Sequence, residues 1–169
     1  TAASEMGELL AQKQIDLVYG GGRTGMMGAV AQGCLKNGGK VIGVVPRGLE
    51  SPQLVYTAAE LTRVELVEDI QVRKARMNEL AEGFIALPGG YGTLDELFEV
   101  LTWSQIGSHR KPVGLLNTNG YYDHLLAWIQ RAYADHYIYK EHLQLFVVDP
   151  SPVGLLEKLA DFTFPGNLS

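Results

Sequence analysis

The chain has 169 residues, 46% of them hydrophobic and 20% charged, with a formal net charge of -5 at pH 7 and a pI near 5.3. That is enough chain for one soluble domain with a sizeable core. The acidic balance leaves no basic footprint for a nucleic-acid polymer, and no apolar run approaches the roughly 20 residues that cross a membrane.

"TAASEMGELLAQKQ" reads as a helix already under way, with Met6, Leu9 and Leu10 on one side. It shows no basic-then-apolar signal segment. The short β-rich runs "IDLVYG", "KVIGVVP", "TRVELV", "GFIALP", "KPVGLL" and "LQLFVV" follow, separated by helical spacing or turn residues. Several are apolar on both parities, as strands covered on both faces are. The pattern predicts an α/β chain with a Rossmann-like, doubly wound parallel sheet and a single domain over residues 1–169. Such sheets open with a central strand, and here a helix comes first. Either the chain is circularly unusual or its first strand lies upstream of Thr1, and the expectation is a gap or tunnel beside "IDLVYG" or a further N-terminal segment. The lone Cys34 has no disulfide partner or metal spacing and reads as a small buried residue on a helix, which suits a reducing cytoplasm.

Two glycine loops stand where ligands of such sheets bind, between strand ends and helix starts. In "YGGGRTGMMG", Gly20, Gly22 and Gly25 match G-x-G-x-x-G. The acid that holds the ribose of NAD about 20 residues further on is replaced by "VVPRG". This disfavours a standard NAD site and leaves Arg47 as a candidate for an NADP phosphate. A tight turn with close helix packing explains the same glycines without a ligand.

The second loop is "ALPGGYGTLDEL". Gly89, Gly90, Gly92 and Thr93 suit a phosphate at a helix N-terminus, where free amides and the helix dipole favour an anion. A helix from Thr93 has Leu94, Leu97, Phe98 and Leu101 as its apolar stripe, with Glu96 outside it. Two readings of Glu96 stand: the last member of a T-x-x-E capping box, or a functional carboxylate. In "DIQVRKARMNELAEG", Ile70, Met77, Leu80 and Ala81 form a stripe that contains Arg73. An inward guanidinium needs an anion, either a carboxylate or a bound phosphate. Lys74 lies at the stripe edge and Arg76 reads as surface. His109, His124, His136 and His142 have no partners at catalytic or metal spacing and read as surface or helix-end residues, while Trp103 and Trp128 read as core or interface aromatics. "SPVGLLEKL" reads as a helix capped by Ser151 with Pro152 in its first turn.

"YGGGRTGMMG", "RKARM" and "PGGYGTLDE", in that order, resemble the Lonely Guy (LOG) family of cytokinin riboside 5'-monophosphate phosphoribohydrolases, whose hallmark is P-G-G-x-G-T-x-x-E. The resemblance runs from about Glu8 to Leu159. It implies hydrolysis of the N-glycosidic bond of an N6-modified adenosine monophosphate, without metal or redox cofactor, by a cytoplasmic homodimer or a larger assembly. Members have been labelled lysine decarboxylases, but no pattern here suggests pyridoxal phosphate chemistry. Carried over by position, Arg73 and Glu96 match the catalytic pair, and the same two residues with Lys74, Gly89, Gly90, Tyr91, Gly92, Thr93, Leu94, Asp95 and Thr102 match the substrate site. Gly21, Gly22 and Met26 are further loop contacts. The expectation is that Arg73 and Glu96 face one cleft, with the glycine loop at its phosphate end. The chain departs from the family at Ile70-Gln71, where Met-His is usual, and in "GLESPQLVYTAAEL", where Glu50 is the candidate for a substrate-contacting glutamate. The competing class is a non-catalytic nucleotide or cofactor carrier on the same fold, as in the molybdenum-cofactor carrier proteins.

Overall fold

The computed structural model describes residues 1–166 and 168. The chain forms two compact units, Thr1–Ala81 and Glu82–Ser169, and among the described residues six strands fall into two parallel sheets of three.

In the first unit, helix α1 (Ala2–Gln12) starts at Thr1, whose side chain accepts from the Ser4 amide at 3.3 Å. Ala3, Met6, Gly7 and Leu10 are its buried face, at the spacing of one helical stripe. Leu9 is only half-buried. That face packs on helix α2 (Gly25–Lys36). A Cβ on Gly7 would stand 2.1 Å from the Val30 carbonyl oxygen, and one on Gly33 would stand 2.2 Å from that of Ser4. The two backbones touch because these positions carry no side chain. Cys34 is fully buried there, and burial pushes its thiol pKa up.

Strands β1 (Leu17–Tyr19), β2 (Val41–Pro46) and β3 (Arg63–Val67) run parallel in that order. Leu17 lies opposite Val41, and Ile42 opposite Arg63. The apolar run falls on the central strand, β2, as double-sided cover requires. Edge strand β3 instead carries Arg63 and Glu65, which pair at 2.8 Å and blunt an exposed edge. β2 and β3 are joined by a long connection, residues 47–62, that contains no helix. This connection adds Tyr56 and Leu61 to a core of Tyr19, Ala31, Cys34 and Val41.

Helix α3 (Ile70–Leu80) is capped by Asp69, whose carboxylate accepts from the amides of Gln71 and Val72 at 2.8 and 2.9 Å. Its expected apolar seam is not a buried one, since no α3 residue is fully buried and Ile70 is 42% exposed. The helix is tied instead by Arg76, read from sequence as ordinary surface. Arg76 donates from Nε to Glu65 at 2.6 Å and from Nη1 to Glu79 at 3.0 Å.

The second unit has strands β4 (Phe84–Ala86), β5 (Val113–Leu116) and β6 (Val147–Asp149), parallel in that order. Helices α4 (Tyr91–Gln105), α5 (Asp123–Ala134) and α6 (Pro152–Ala160) follow the three strands in turn. Its core gathers Ala86, Leu97, Val100, Val113, Leu115 and Tyr122. The strand expected from Leu143 begins only at Val147, because Lys140–Gln144 forms a 3-10 helix. There the Tyr139 amide donates to Nδ1 of His142 at 3.1 Å. His142 is therefore a buried structural residue, not a surface one. Ser151 caps α6 by accepting from the Gly154 amide at 3.1 Å, with Pro152 in the first turn. Trp128, expected in a core or an interface, is 56% exposed and stands edge-on to Phe98 at 5.7 Å. No described helix is long and apolar enough to cross a membrane.

Candidate active site

β1 ends at the first glycine loop. Gly21 has φ +81°, and a Cβ there would lie 2.6 Å from Cγ2 of Val45, so only glycine fits the turn. The loop is clasped by the 47–62 connection. Gly22 and Val55 form an antiparallel bridge, the Tyr56 amide donates to the Gly21 carbonyl at 3.0 Å, and the Arg23 amide to that of Leu54 at 2.9 Å. The Tyr19 hydroxyl donates to the Gly22 carbonyl at 3.2 Å. The Arg23 guanidinium forks onto both oxygens of Glu60 at 2.8 and 2.7 Å and lies over the Tyr56 ring, 4.6 Å from its centre. That fork, with two bonds from Thr57, holds the Glu60 carboxyl at about 2, well below its ordinary range. None of this clasp was read from the sequence. Its signals, an arginine among glycines and an acid 37 positions later, have no fixed spacing to search for.

Arg73 is half-buried on α3, and its guanidinium lies against the end of β1. A Cβ on Gly20 would stand 3.2 Å from Nη1 of Arg73 and 3.8 Å from Sδ of Met27. The unit thus brings Arg73 to the first glycine loop, beside the start of α2. Lys74 and Met26 are half-buried, while Arg47 and Glu50 are exposed. Glu50 stands on the rim of a largely apolar cleft of about 260 Å³ lined by Val45, Val55, Tyr56, Val64 and Leu66.

β4 leads into the second loop. Helix α4 starts at Tyr91 with Gly90 as its N-cap and no side-chain cap, and the Leu94 amide donates to the Gly90 carbonyl at 3.1 Å. Thr93 is therefore not the cap expected from T-x-x-E. It is the third residue of the first turn, and Glu96 falls a turn too far along to close a capping box. The reason is steric as well as conformational. A Cβ on Gly89 would sit 2.1 Å from Oγ1 of Thr93, so the threonine occupies the space that Gly89 leaves. Around Gly90 and Gly92, by contrast, a Cβ would meet no atom within 4 Å. An uncapped helix start with open space at two glycines is the form an anion site takes.

Glu96 and Leu94 are half-buried on α4, Asp95 is exposed, and Tyr91 is 96% exposed. Thr102 is exposed and its hydroxyl donates to the Phe98 carbonyl at 2.7 Å. The loop's own carbonyls are tied back by adjacent tyrosines that sequence reading passed over. The Tyr121 hydroxyl donates to the Gly89 carbonyl at 2.6 Å, and the Tyr122 hydroxyl to that of Leu87. Burial pushes the Tyr122 phenol up to about 12. His109 is held between the Val100 carbonyl at 2.8 Å and the Lys111 amide at 3.1 Å, and burial lowers its pKa. Among the described residues no cluster of His, Cys, Asp or Glu is placed to hold a metal ion.

Parallel strands with covering helices and glycine turns at the strand ends define a Rossmann-like α/β protein. Its fold is shared with the molybdenum cofactor binding protein of Rippkaea orientalis, at a TM-score of 0.71 and 23% identity, over 95% of this chain and 85% of that one. A family described as "Possible lysine decarboxylase" matches residues 27–159. A protein of Oryza sativa subsp. japonica, named as a probable cytokinin riboside 5'-monophosphate phosphoribohydrolase, is 47% identical over 161 residues, 95% of this chain and 70% of that protein. A cytokinin riboside 5'-monophosphate phosphoribohydrolase of Arabidopsis thaliana is 46% identical over 161 residues, 95% of this chain and 75% of that one. The chain belongs to this LOG family.

Proposed function

We propose that this protein is a hydrolase that cleaves the N-glycosidic bond of N6-modified adenosine 5'-monophosphates, cytokinin riboside 5'-monophosphates among them, and of AMP. The products are the free base and ribose 5-phosphate. The family membership supports the reaction. The observation that carries the site is that α4 opens on uncapped glycines, with Glu96 in the turn beyond them.

N-glycoside cleavage passes through an oxocarbenium-like state, so a carboxylate near the ribose stabilises its charge and orients or deprotonates the attacking water. Glu96 takes that role. A guanidinium stays protonated and is a poor acid, so Arg73 clamps the substrate or steadies negative charge on the departing base. Gly89, Gly90, Gly92 and Thr93 receive the 5'-phosphate at the helix start. Binding energy from that remote group fixes the sugar for attack. Lys74, Tyr91, Leu94, Asp95 and Thr102 complete the substrate site, with Gly21, Gly22 and Met26 as further loop contacts.

The active form in this proposal is a cytoplasmic homodimer formed through α4 and α5, where Ile106 and Trp128 are 68% and 56% exposed. The deciding experiment is incubation with AMP and with isopentenyladenosine monophosphate, followed by chromatography of the free base. Release of adenine or its N6-modified form is the expected result. Stoichiometric binding with no base released would instead place the protein among carriers.

A further inference from the structure

We infer that Tyr121 is a positioning residue that sets the phosphate-binding form of the second glycine loop. The inference rests on the anion site proposed above and goes beyond it by assigning what holds that site in shape. Gly89 and Gly90 are consecutive, and neither has a side chain to hinder rotation of the peptide between them. That peptide is a rigid unit whose C=O and N–H point in opposite directions. Anchoring the Gly89 carbonyl therefore fixes the direction of the Gly90 N–H at the start of α4. The anchor is the Tyr121 hydroxyl, 2.6 Å from the Gly89 oxygen.

Tyr121 is itself held in place. It stands edge-on to Tyr122, with ring centres 5.1 Å apart, and Tyr122 is buried. The Tyr122 amide donates to Oδ1 of Asn117 at 2.6 Å, and the Asn117 amide nitrogen Nδ2 donates to Asp123 at 2.8 Å. Asn119 and Gly120 turn the chain there with φ of 55° and 70°. Two tyrosines on one braced turn thus tether two carbonyls of one loop. Tyr121, at 54% exposed, contributes little buried area to folding, so its hydroxyl can be removed without unfolding the unit.

The test is Y121F, which removes only the donor. Loss of one neutral hydrogen bond corresponds to about 3- to 10-fold in an equilibrium constant. Y121F should raise the KM for AMP and the calorimetric Kd for ribose 5-phosphate by about that factor. It should change kcat less than KM and leave both the weak binding of adenosine, which lacks the phosphate, and the melting temperature unchanged. An unchanged Kd for ribose 5-phosphate would overturn the role of Tyr121, as would equal losses for AMP and adenosine. Wild-type protein that binds ribose 5-phosphate but releases no base from AMP would remove the proposed reaction and leave Tyr121 to be judged by the Kd comparison. Wild-type protein that binds neither AMP nor ribose 5-phosphate would overturn both.

Discussion

Glu96→Gln separates shape from charge at one atom. Glutamine keeps the shape of glutamate and an acceptor oxygen but not its charge, so a merely structural residue would tolerate the exchange. A carboxylate that stabilises an oxocarbenium-like state would not. The expected result is a fall in kcat of about 100-fold or more, with the fold and phosphate affinity retained, measured as base release from AMP. Arg73→Ala should also abolish turnover, and Arg73→Lys should rescue poorly, since an ammonium cannot reproduce a planar two-pronged contact. Glu60 supplies a pH prediction. Its folded pKa of about 2 lies below the ordinary 4.5, so the Arg23 pair contributes stability in full above pH 4.5, and that contribution is lost as pH falls toward 2. With side chains 29% and 38% exposed, the pair is also screened by salt. Acid unfolding of Glu60→Gln should accordingly be less steep than wild type across that window. Identical acid profiles would show that the clasp does not couple to folding.

Among the elements, the glycines fall into two kinds that substitution tells apart. At Gly7 a methyl group would meet the Val30 backbone at 2.1 Å. Alanine there gains about 1 kcal/mol of helix propensity, but overpacking against an immovable carbonyl costs about 1–3 kcal/mol or more. The clash wins, and Gly7→Ala should lower the urea midpoint. Gly90→Ala meets open space at φ -101° and ψ -147°, outside the left-handed region that only glycine adopts freely. Alanine is a poorer N-cap than glycine, so the change should destabilise the unit by about 1 kcal/mol at most, while weakening ribose 5-phosphate binding beyond that loss, because its methyl group enters the space proposed for the phosphate. Gly90→Ala protein with wild-type affinity would move the anion site away from the start of α4.

For the whole molecule the prediction is assembly. Light scattering at micromolar concentration should return twice the 18.5 kDa chain mass, and Trp128→Glu, a charge placed on the proposed α4 and α5 interface, should return it to the monomer. A wild-type monomer would remove the dimer from the proposed function. The net charge of -5 opposes association only weakly across a Debye length of about 10 Å at moderate salt.

By itself the sequence determined the elements: six apolar runs each became a strand, Ser151 capped α6, and Cys34 was buried. Such features depend on residues near one another in the chain, and local periodicity and turn chemistry report them. The family was legible for the same reason, since its motifs are short and contiguous. Tertiary structure decided the rest. Gly90 took the cap from Thr93 because Thr93 fills the space against Gly89, a contact that no helix-start pattern encodes. Arg76, still partly exposed, tied α3 to Glu65 on β3, and residues 54–60 closed on the first glycine loop through Arg23 and Glu60. Tyr121 reached Gly89 from 32 positions away. Contacts at such separations follow from where the chain returns in space, and one-dimensional spacing carries no record of that.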